Sequence, residues 1–153
     1  MSSAEKRTLE ADEIVRGFVE DVWNRGDLDR IENIVHPRYA VSGQVVGAEW
    51  GRRNVENDRP AFPNIHVAVT DIVVMENRVA ARLILTGTHR AEYRGIAATG
   101  RTVTYEEAAF WTIEENKLRE GWFVSDALGL RIQLGILPED IWHNPAAIPP
   151  SSS

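Results

Sequence analysis

The chain has 153 residues, 43% of them hydrophobic, with a formal charge of −6 and a pI near 5.2. A chain of this length supports one hydrophobic core, so we expect a single domain. The acidic balance and the scattered basic residues argue against a nucleic-acid partner, because phosphate binding needs clustered Lys and Arg. The absence of cysteine excludes disulfides, thiolate nucleophiles and Cys-type zinc sites. No apolar run approaches the ~20 residues that a bilayer requires, so we expect a soluble, cytoplasmic protein without a membrane partner.

The first elements in chain order are helical. Apolar residues recur at three- and four-residue steps between positions 9 and 24, which predicts an amphipathic helix. A second helix is expected from Leu28, with Asp27 as its N-cap, up to His36-Pro37, which prevents continuation. A short strand, a third helix and a rigid connection are then expected at residues 39–46, 49–57 and 59–63.

Beyond residue 63 the sequence is rich in Val, Ile, Thr and aromatic residues, which predicts strands at residues 65–75, 78–89, 102–113 and 118–125. Helices followed by antiparallel strands predict an α+β fold, with the helices covering the concave face of a curved sheet and enclosing an apolar pocket. We expect one domain over residues 1–137 and a Pro-rich C-terminal arm over residues 138–153.

Three stretches carry a resemblance to a known family. They are VWNRGDLDRIENIVHPRY (22–39), AFPNIHVAVTDIVVMENRVAARLILTGTHRAEYRGIAATGRTV (61–103) and WFVSDALGLRIQLG (122–135). The order of VWN.GD, FP, GTH, GI..TG and W...D.LGL..QLG resembles the SnoaL-like polyketide cyclases, a branch of the nuclear-transport-factor-2-like (NTF2-like) superfamily. The resemblance implies a cone-shaped fold, a homodimer or higher homo-oligomer, and cofactor-free intramolecular aldol ring closure of an aromatic polyketide in antibiotic biosynthesis.

The sequence departs from the family pattern at two places. Residues 39–43 read Tyr-Ala-Val-Ser-Gly where many relatives carry an Asp-His pair, and the stretch 104–113 carries Glu106-Glu107 and Ala109 where Ser-Gly and often Asp are expected. These departures make hydroxylation of an aromatic polyketide the main alternative activity. A non-catalytic ligand-binding module is the alternative from another class, because the superfamily also contains binding proteins.

Asp126 is the first candidate for chemistry, since it matches the acid/base Asp of the cyclases within W...D.LGL. Alternation along a strand places Trp122, Val124 and Asp126 on one face, where desolvation would raise the pKa of the carboxyl group. Such a group exchanges protons at the α-carbon of a carbonyl. The structural alternative is that Asp126 caps a helix expected at residues 127–135. The resemblance favours the catalytic role.

Glu106 and Glu107 are adjacent in a predicted strand, so they point to opposite faces and one of them is expected to face the pocket. An inward Glu beside Asp126 would form a carboxyl pair with separated pKa values, suitable for acid/base catalysis. The sequence does not decide which Glu that is. The favoured alternative for either is a surface charge or an ion pair with Arg82 or Arg101.

His89 ends a predicted strand in the GTH motif and is a candidate to orient a substrate oxygen or carry a second proton. A histidine hydrogen-bonded to the backbone is equally compatible with this position. His36, His66 and His143 show no ligand spacing with His89, so no metal site is expected. No cofactor is expected either, because the sequence lacks GxGxxG and P-loop motifs, and it also lacks a GxSxG nucleophile motif.

Several aromatic side chains are candidates to bind a flat, apolar substrate. The substrate-binding candidates are Trp50, Trp111, Trp122, Phe110 and Tyr93.

Overall fold

The computed structural model describes residues 1–143, apart from the side chain of Trp142. The elements are α1 (Ser3–Gly17), α2 (Ile31–Ile34), β1 (Val35–Val41), β2 (Gln44–Val45), α3 (Ala48–Ala61), β3 (His66–Met75), β4 (Arg78–Thr88), β5 (Thr102–Glu114), β6 (Lys117–Ser125) and α4 (Ala127–Gln133). A π-helix, Phe18–Asn24, continues α1, and 3-10 turns lie at Leu28–Arg30 and Glu139–Trp142. Most of the expected C-terminal arm lies outside the described residues.

The strands form one curved sheet in the order β2-β1-β6-β5-β4-β3. β1 and β6 pair in parallel, and every other neighbouring pair is antiparallel. The predicted α+β class is confirmed. The four long strands match their predicted bounds to within one residue at each end, because strand alternation and β-branched residues are local signals.

The N-terminal elements differ more from the prediction. α1 begins before residue 9 because Ser2 and Glu5 form a capping box, in which each side chain accepts a hydrogen bond from the other's backbone N–H. The strand expected at residues 39–46 is a hairpin, since Ser42 and Gly43 both have positive φ (49° and 81°) and form a two-residue turn.

The two predicted helices on either side of that hairpin also have different bounds. The second predicted helix is short because Val35 already belongs to β1. Pro37 lies within β1 where the β1–β6 register is irregular, so the strand tolerates its missing N–H. Asp27 makes no capping hydrogen bond, so that prediction is wrong. The third helix continues through Pro60 to Ala61, in a stretch expected to be a rigid connection.

The helices cover one face of the sheet and form the core with it. Its most completely buried members come from helices and strands alike: Val15, Val22, Ile31, Val55, Val79, Val103 and Leu118. A cavity of about 520 Å³ remains between the concave face and the helices, within the usual size range of small-molecule sites. Over residues 1–143, no helix combines the length and apolarity that crossing a membrane would require.

Candidate active site

α3 and β5 each place a tryptophan toward one end of the cavity and a carboxyl group toward the other. On α3, Trp50, Asn54 and Asp58 are four residues apart and lie along one helical face. On β5, Glu107 and Trp111 share the concave face. The tryptophan and the carboxyl group are about 12 Å apart along the helix and about 13 Å apart along the strand. The cavity therefore has an aromatic end and a carboxyl end.

The aromatic end is built around Phe123 of β6. Its ring stacks on Trp50, with centroids 5.7 Å apart and planes at 21°, and meets the edge of Trp111 at 5.7 Å and 80°. Phe18, at the start of the π-helix, contacts Trp111 edge-on at 6.5 Å. These rings form flat apolar walls that suit an aromatic ligand. The structure thus places the predicted Trp50 and Trp111 in the cavity.

The carboxyl end holds Asp58 and Glu107, which are both half-buried. Burial raises the pKa of Glu107; a hydrogen bond donated by the hydroxyl of Ser125 opposes this rise, and the negative charge of Asp58 adds to it. Burial also raises the pKa of Asp58, against the influence of Arg94. Asp58 Oδ1 is buried without a hydrogen-bond partner among the described residues. This arrangement leaves two carboxyl groups with raised pKa values facing one volume.

Tyr93 and Tyr105 line the same end of the cavity. Burial raises the pKa of both phenols, so they stay protonated and serve as hydrogen-bond donors near neutral pH. Tyr93 lies in a loop after β4, where its backbone exchanges two hydrogen bonds of 2.9 Å with Ile96. Its ring meets the edge of Phe62 at 5.1 Å. The predicted Tyr93 therefore lies in the cavity, at the carboxyl end.

His89 is fully buried, but its side chain does not line the cavity. The imidazole stacks on Phe62 at 5.3 Å and 25°, behind Tyr93. Its Nδ1 accepts a hydrogen bond from the backbone N–H of Thr99 at 3.2 Å and lies 3.0 Å from the Thr99 hydroxyl. This geometry agrees with the second alternative for His89, a histidine hydrogen-bonded to the backbone, and it anchors the loop that carries Tyr93. Over residues 1–143, no three His, Cys, Asp or Glu side chains are grouped to hold a metal ion.

Asp126 is exposed and caps α4, where its carboxylate accepts a hydrogen bond of 2.8 Å from the N–H of Gly129. The expected burial beside Trp122 is not observed, because the Trp122 side of β6 is the outer face of the sheet. Ser125 and Ala127 line the cavity, whereas Asp126 between them does not. The local geometry agrees with the capping alternative.

Three other candidates also lie on the outer face. Glu106 forms an exposed ion pair with Arg82, which is the alternative that the sequence favoured. Phe110 and Trp122 contact each other edge-on at 5.5 Å and are exposed. Strand alternation accounts for all three positions, since their sequence neighbours Glu107, Trp111 and Phe123 face the cavity. The expected place of Phe110 and Trp122 in the pocket is therefore corrected.

Comparison with known proteins identifies the family. The family model described as SnoaL-like polyketide cyclase matches residues 13–134. The chain belongs to this family. No curated protein matches it significantly.

Solved structures of several bacterial proteins share the NTF2-like cone of this SnoaL-like chain. TsrD from Streptomyces laurentii is 25% identical, with a TM-score of 0.78 over 84% of this chain and 97% of that one. A candidate polyketide cyclase from Bacillus cereus is 26% identical, with a TM-score of 0.74 over 89% and 86%. AclR from Streptomyces galilaeus, described as a candidate hydroxylase, is 29% identical, with a TM-score of 0.72 over 89% and 100%.

The sequence analysis missed several residues of this SnoaL-like cavity. The most important is Asp58, which lies between the predicted helix, 49–57, and the predicted connection, 59–63, whereas α3 continues to Ala61. The four-residue spacing of Trp50, Asn54 and Asp58 is the signal that would have found it. The other missed lining residues of interest are Phe123, Tyr105, Arg94 and Arg131.

Proposed function

We propose that this SnoaL-like protein is a cofactor-free acid/base enzyme acting on an aromatic polyketide, with Asp58 and Glu107 as its proton carriers. One observation carries the proposal: two carboxyl groups from different elements, both with raised pKa values, lie at one end of a cavity whose other end is aromatic. Carboxyl groups tuned toward neutral pH by burial are suited to general acid/base catalysis.

The reaction that fits best is intramolecular aldol ring closure. Two interacting carboxyl groups in a shared volume titrate in separate steps, so one is ionised while the other is still protonated. The ionised group removes a proton from a carbon next to a carbonyl, and the resulting enolate carbon attacks a second carbonyl carbon. The protonated group then donates its proton to the new alkoxide. The hydroxyl groups of Tyr93 and Tyr105 are available to stabilise the enolate oxygen.

The aromatic end supplies the positioning that ring closure needs. The rings of Trp50, Phe123 and Trp111 form a wall against which a planar ring system of the substrate would pack, about 12 Å from the carboxyl groups. Because the substrate is held there, its flexible chain stays near both carboxyl groups, which lowers the entropic cost of bringing the reacting carbon atoms together.

Hydroxylation of an aromatic polyketide is the second candidate. It is supported by the 29% identity to AclR, described as a candidate hydroxylase, over the full length of that chain. Ala109 on the concave face of β5 and Val41 on β1 are apolar where many relatives are expected to be polar. In this case the cavity would generate an enolate that reacts with molecular oxygen, a partner reductase would supply the two electrons that reduce the second oxygen atom to water, and the product would gain one oxygen atom.

The test is incubation of the protein with a panel of anthraquinone-type polyketide intermediates, followed by mass spectrometry and NMR of the products. A new ring without a gain of oxygen supports aldol closure. A gain of one oxygen atom supports hydroxylation. Binding without conversion of any panel member would contradict both and indicate a binding module.

Single substitutions test the assigned proton carriers. Asp58→Asn and Glu107→Gln keep the side-chain shape but remove ionisation, so each should lower turnover by about a hundredfold. Glu106→Gln is the matched control, because Glu106 is the sequence neighbour on the outer face. Its turnover should stay within about twofold of the unmodified protein. Equal losses in Glu106→Gln and Glu107→Gln would contradict the assignment.

A further inference from the structure

We infer that the ligand of this cavity is an aromatic carboxylic acid whose carboxylate is bound by Arg94 and Arg131. The inference rests on the proposed function for the aromatic part of the ligand and adds the charged group. Both arginines are exposed and both line the cavity, Arg94 from the loop after β4 and Arg131 from α4. Both positive charges lower the pKa of the Tyr93 phenol, against the larger effect of burial, so both are near this phenol.

Arg94 occupies a backbone position that arginine rarely takes. It is the first residue of the two-residue turn Arg94-Gly95, with φ values of 48° and 85°, between Tyr93 and Ile96. Such turns favour Asn or Gly, and a bulky side chain is strained at this φ. The guanidinium carbon lies 5.2 Å from the centroid of the Tyr93 ring, an orienting contact between a cation and an aromatic face. The turn alone gives no reason for a cation here.

Among residues 1–143, neither guanidinium group forms an ion pair with an acidic side chain, although Arg94 is near enough to Asp58 to oppose the rise in the pKa of that carboxyl group. Over residues 1–143, no carboxylate lies within 4.0 Å of either one. Arg131 donates instead to the backbone carbonyl of Ala127 at 3.2 Å. The nearby carboxyl groups of Asp58 and Glu107 have raised pKa values and are protonated over a wider pH range than usual. This end of the cavity is therefore suited to an anion.

A carboxylate is the anion that fits this arrangement best. Guanidinium groups bind carboxylates through paired, charge-assisted hydrogen bonds. Arg94 and Arg131 lie at the carboxyl end of the cavity, whereas the stacked rings of Trp50 and Phe123 lie at the other end. A ligand with an aromatic body and a carboxylate would satisfy both ends at once. The carbonyl groups between them would then lie beside Asp58 and Glu107.

The experiment compares anthraquinone-2-carboxylate with its methyl ester, using calorimetry or quenching of tryptophan fluorescence. The acid should bind at least tenfold more tightly than the ester, and this ratio should fall as salt is raised. Arg94→Asn, which suits the positive φ, and Arg131→Gln should each weaken binding of the acid about tenfold and leave the ester unchanged. Arg82→Gln, on the outer face, is the matched control and should change neither affinity.

Equal affinity for acid and ester, or no binding of either at millimolar concentration, would overturn the inference. Equal weakening of both ligands in the arginine variants would also overturn it, because that pattern indicates a loss of shape and not of charge recognition. These outcomes are separate from those of the proposed function. Arginine-dependent preference for the acid without turnover supports the inference alone, whereas turnover lost in Glu107→Gln without any acid preference supports the proposed function alone.

Discussion

The two faces of the sheet carry the same residue types in different surroundings, and β5 shows this most clearly. Glu107 faces the cavity, where burial raises its pKa and a hydroxyl group donates to it. Glu106 points to the outer face and forms an exposed ion pair with Arg82. The difference comes from the helices, which remove water from one face only. The raised pKa of Glu107 therefore comes from its burial beneath the helices and not from its residue type.

The tryptophans of the two faces differ in exposure in the same way. Trp111 on the inner face is 2% exposed, whereas Trp122 on the outer face is 47% exposed. Trp122 is also part of an apolar row that crosses four strands in register: Val73, Ala80, Phe110 and Trp122. A contiguous apolar row on the outer face of a sheet is a candidate surface for contact with another molecule. The helices of this chain bury Trp111 on the inner face, whereas the residues of the outer row remain accessible to another molecule.

The largest expected effect is on stability. Trp111→Ala should lower the free energy of unfolding by about 3–5 kcal/mol, because it opens a void in the core. Trp122→Ala should cost the monomer about 1 kcal/mol or less, because its ring is already half in water. Denaturant unfolding at low protein concentration measures both values. Similar losses in the two variants would remove the distinction between the faces.

We expect the outer row to be covered by a second copy of the chain in a two-fold homodimer. A carboxylate introduced by Trp122→Glu would be desolvated in that interface, so it should weaken dimerisation at least tenfold. Sedimentation velocity at micromolar concentrations measures the change, and circular dichroism checks that the monomer remains folded. Glu13→Gln, a change at an exposed position of α1 and away from the outer face of the sheet, is the control. An unmodified protein that sediments only as a monomer would contradict this prediction.

The pH dependence of stability should also separate the faces. The raised pKa of Glu107 means that the folded state holds its proton more tightly than the unfolded state. This contribution to stability is present below the unfolded pKa of about 4.3 and is lost as pH rises through the folded pKa. Glu107→Gln cannot ionise, so it does not lose stability at high pH, and its amide oxygen still accepts the hydrogen bond from Ser125. Its melting temperature, relative to the unmodified protein, should therefore be raised more at pH 8 than at pH 4. Glu106→Gln should show no such gain; if it does, burial is not the cause.

Sequence patterns predicted the sheet far better than the site. The four long strands follow from alternation and β-branched residues, which act within a few residues of each position. Alternation also separated Glu106 from Glu107 correctly. It could not identify the inner face, because that depends on where helices distant in sequence pack.

The errors at the site have a similar physical origin. The third helix was predicted to end at residue 57, yet α3 continues through Pro60 to Ala61, so Asp58 was left outside the predicted helix. Asp126 was expected to be buried on the basis of alternation with Trp122, but that side of β6 is the solvent face. At Asp58 the predicted helix ended too early, whereas at Asp126 strand alternation was extended beyond the last residue of β6.

The smallest expected effect is at Asp126, the residue that the family resemblance favoured for catalysis. Asn at this position can still accept the hydrogen bond from the N–H of Gly129, so Asp126→Asn should leave both melting temperature and turnover nearly unchanged. Asp126→Ala loses the cap and should cost about 1 kcal/mol of stability. It could also disturb ligand binding, because α4 carries Leu130 and Arg131 into the cavity wall. The Asn variant is therefore the decisive one. A hundredfold loss of turnover in Asp126→Asn at an unchanged melting temperature would show that Asp126 carries the proton, and the assignment to Asp58 and Glu107 would then be abandoned.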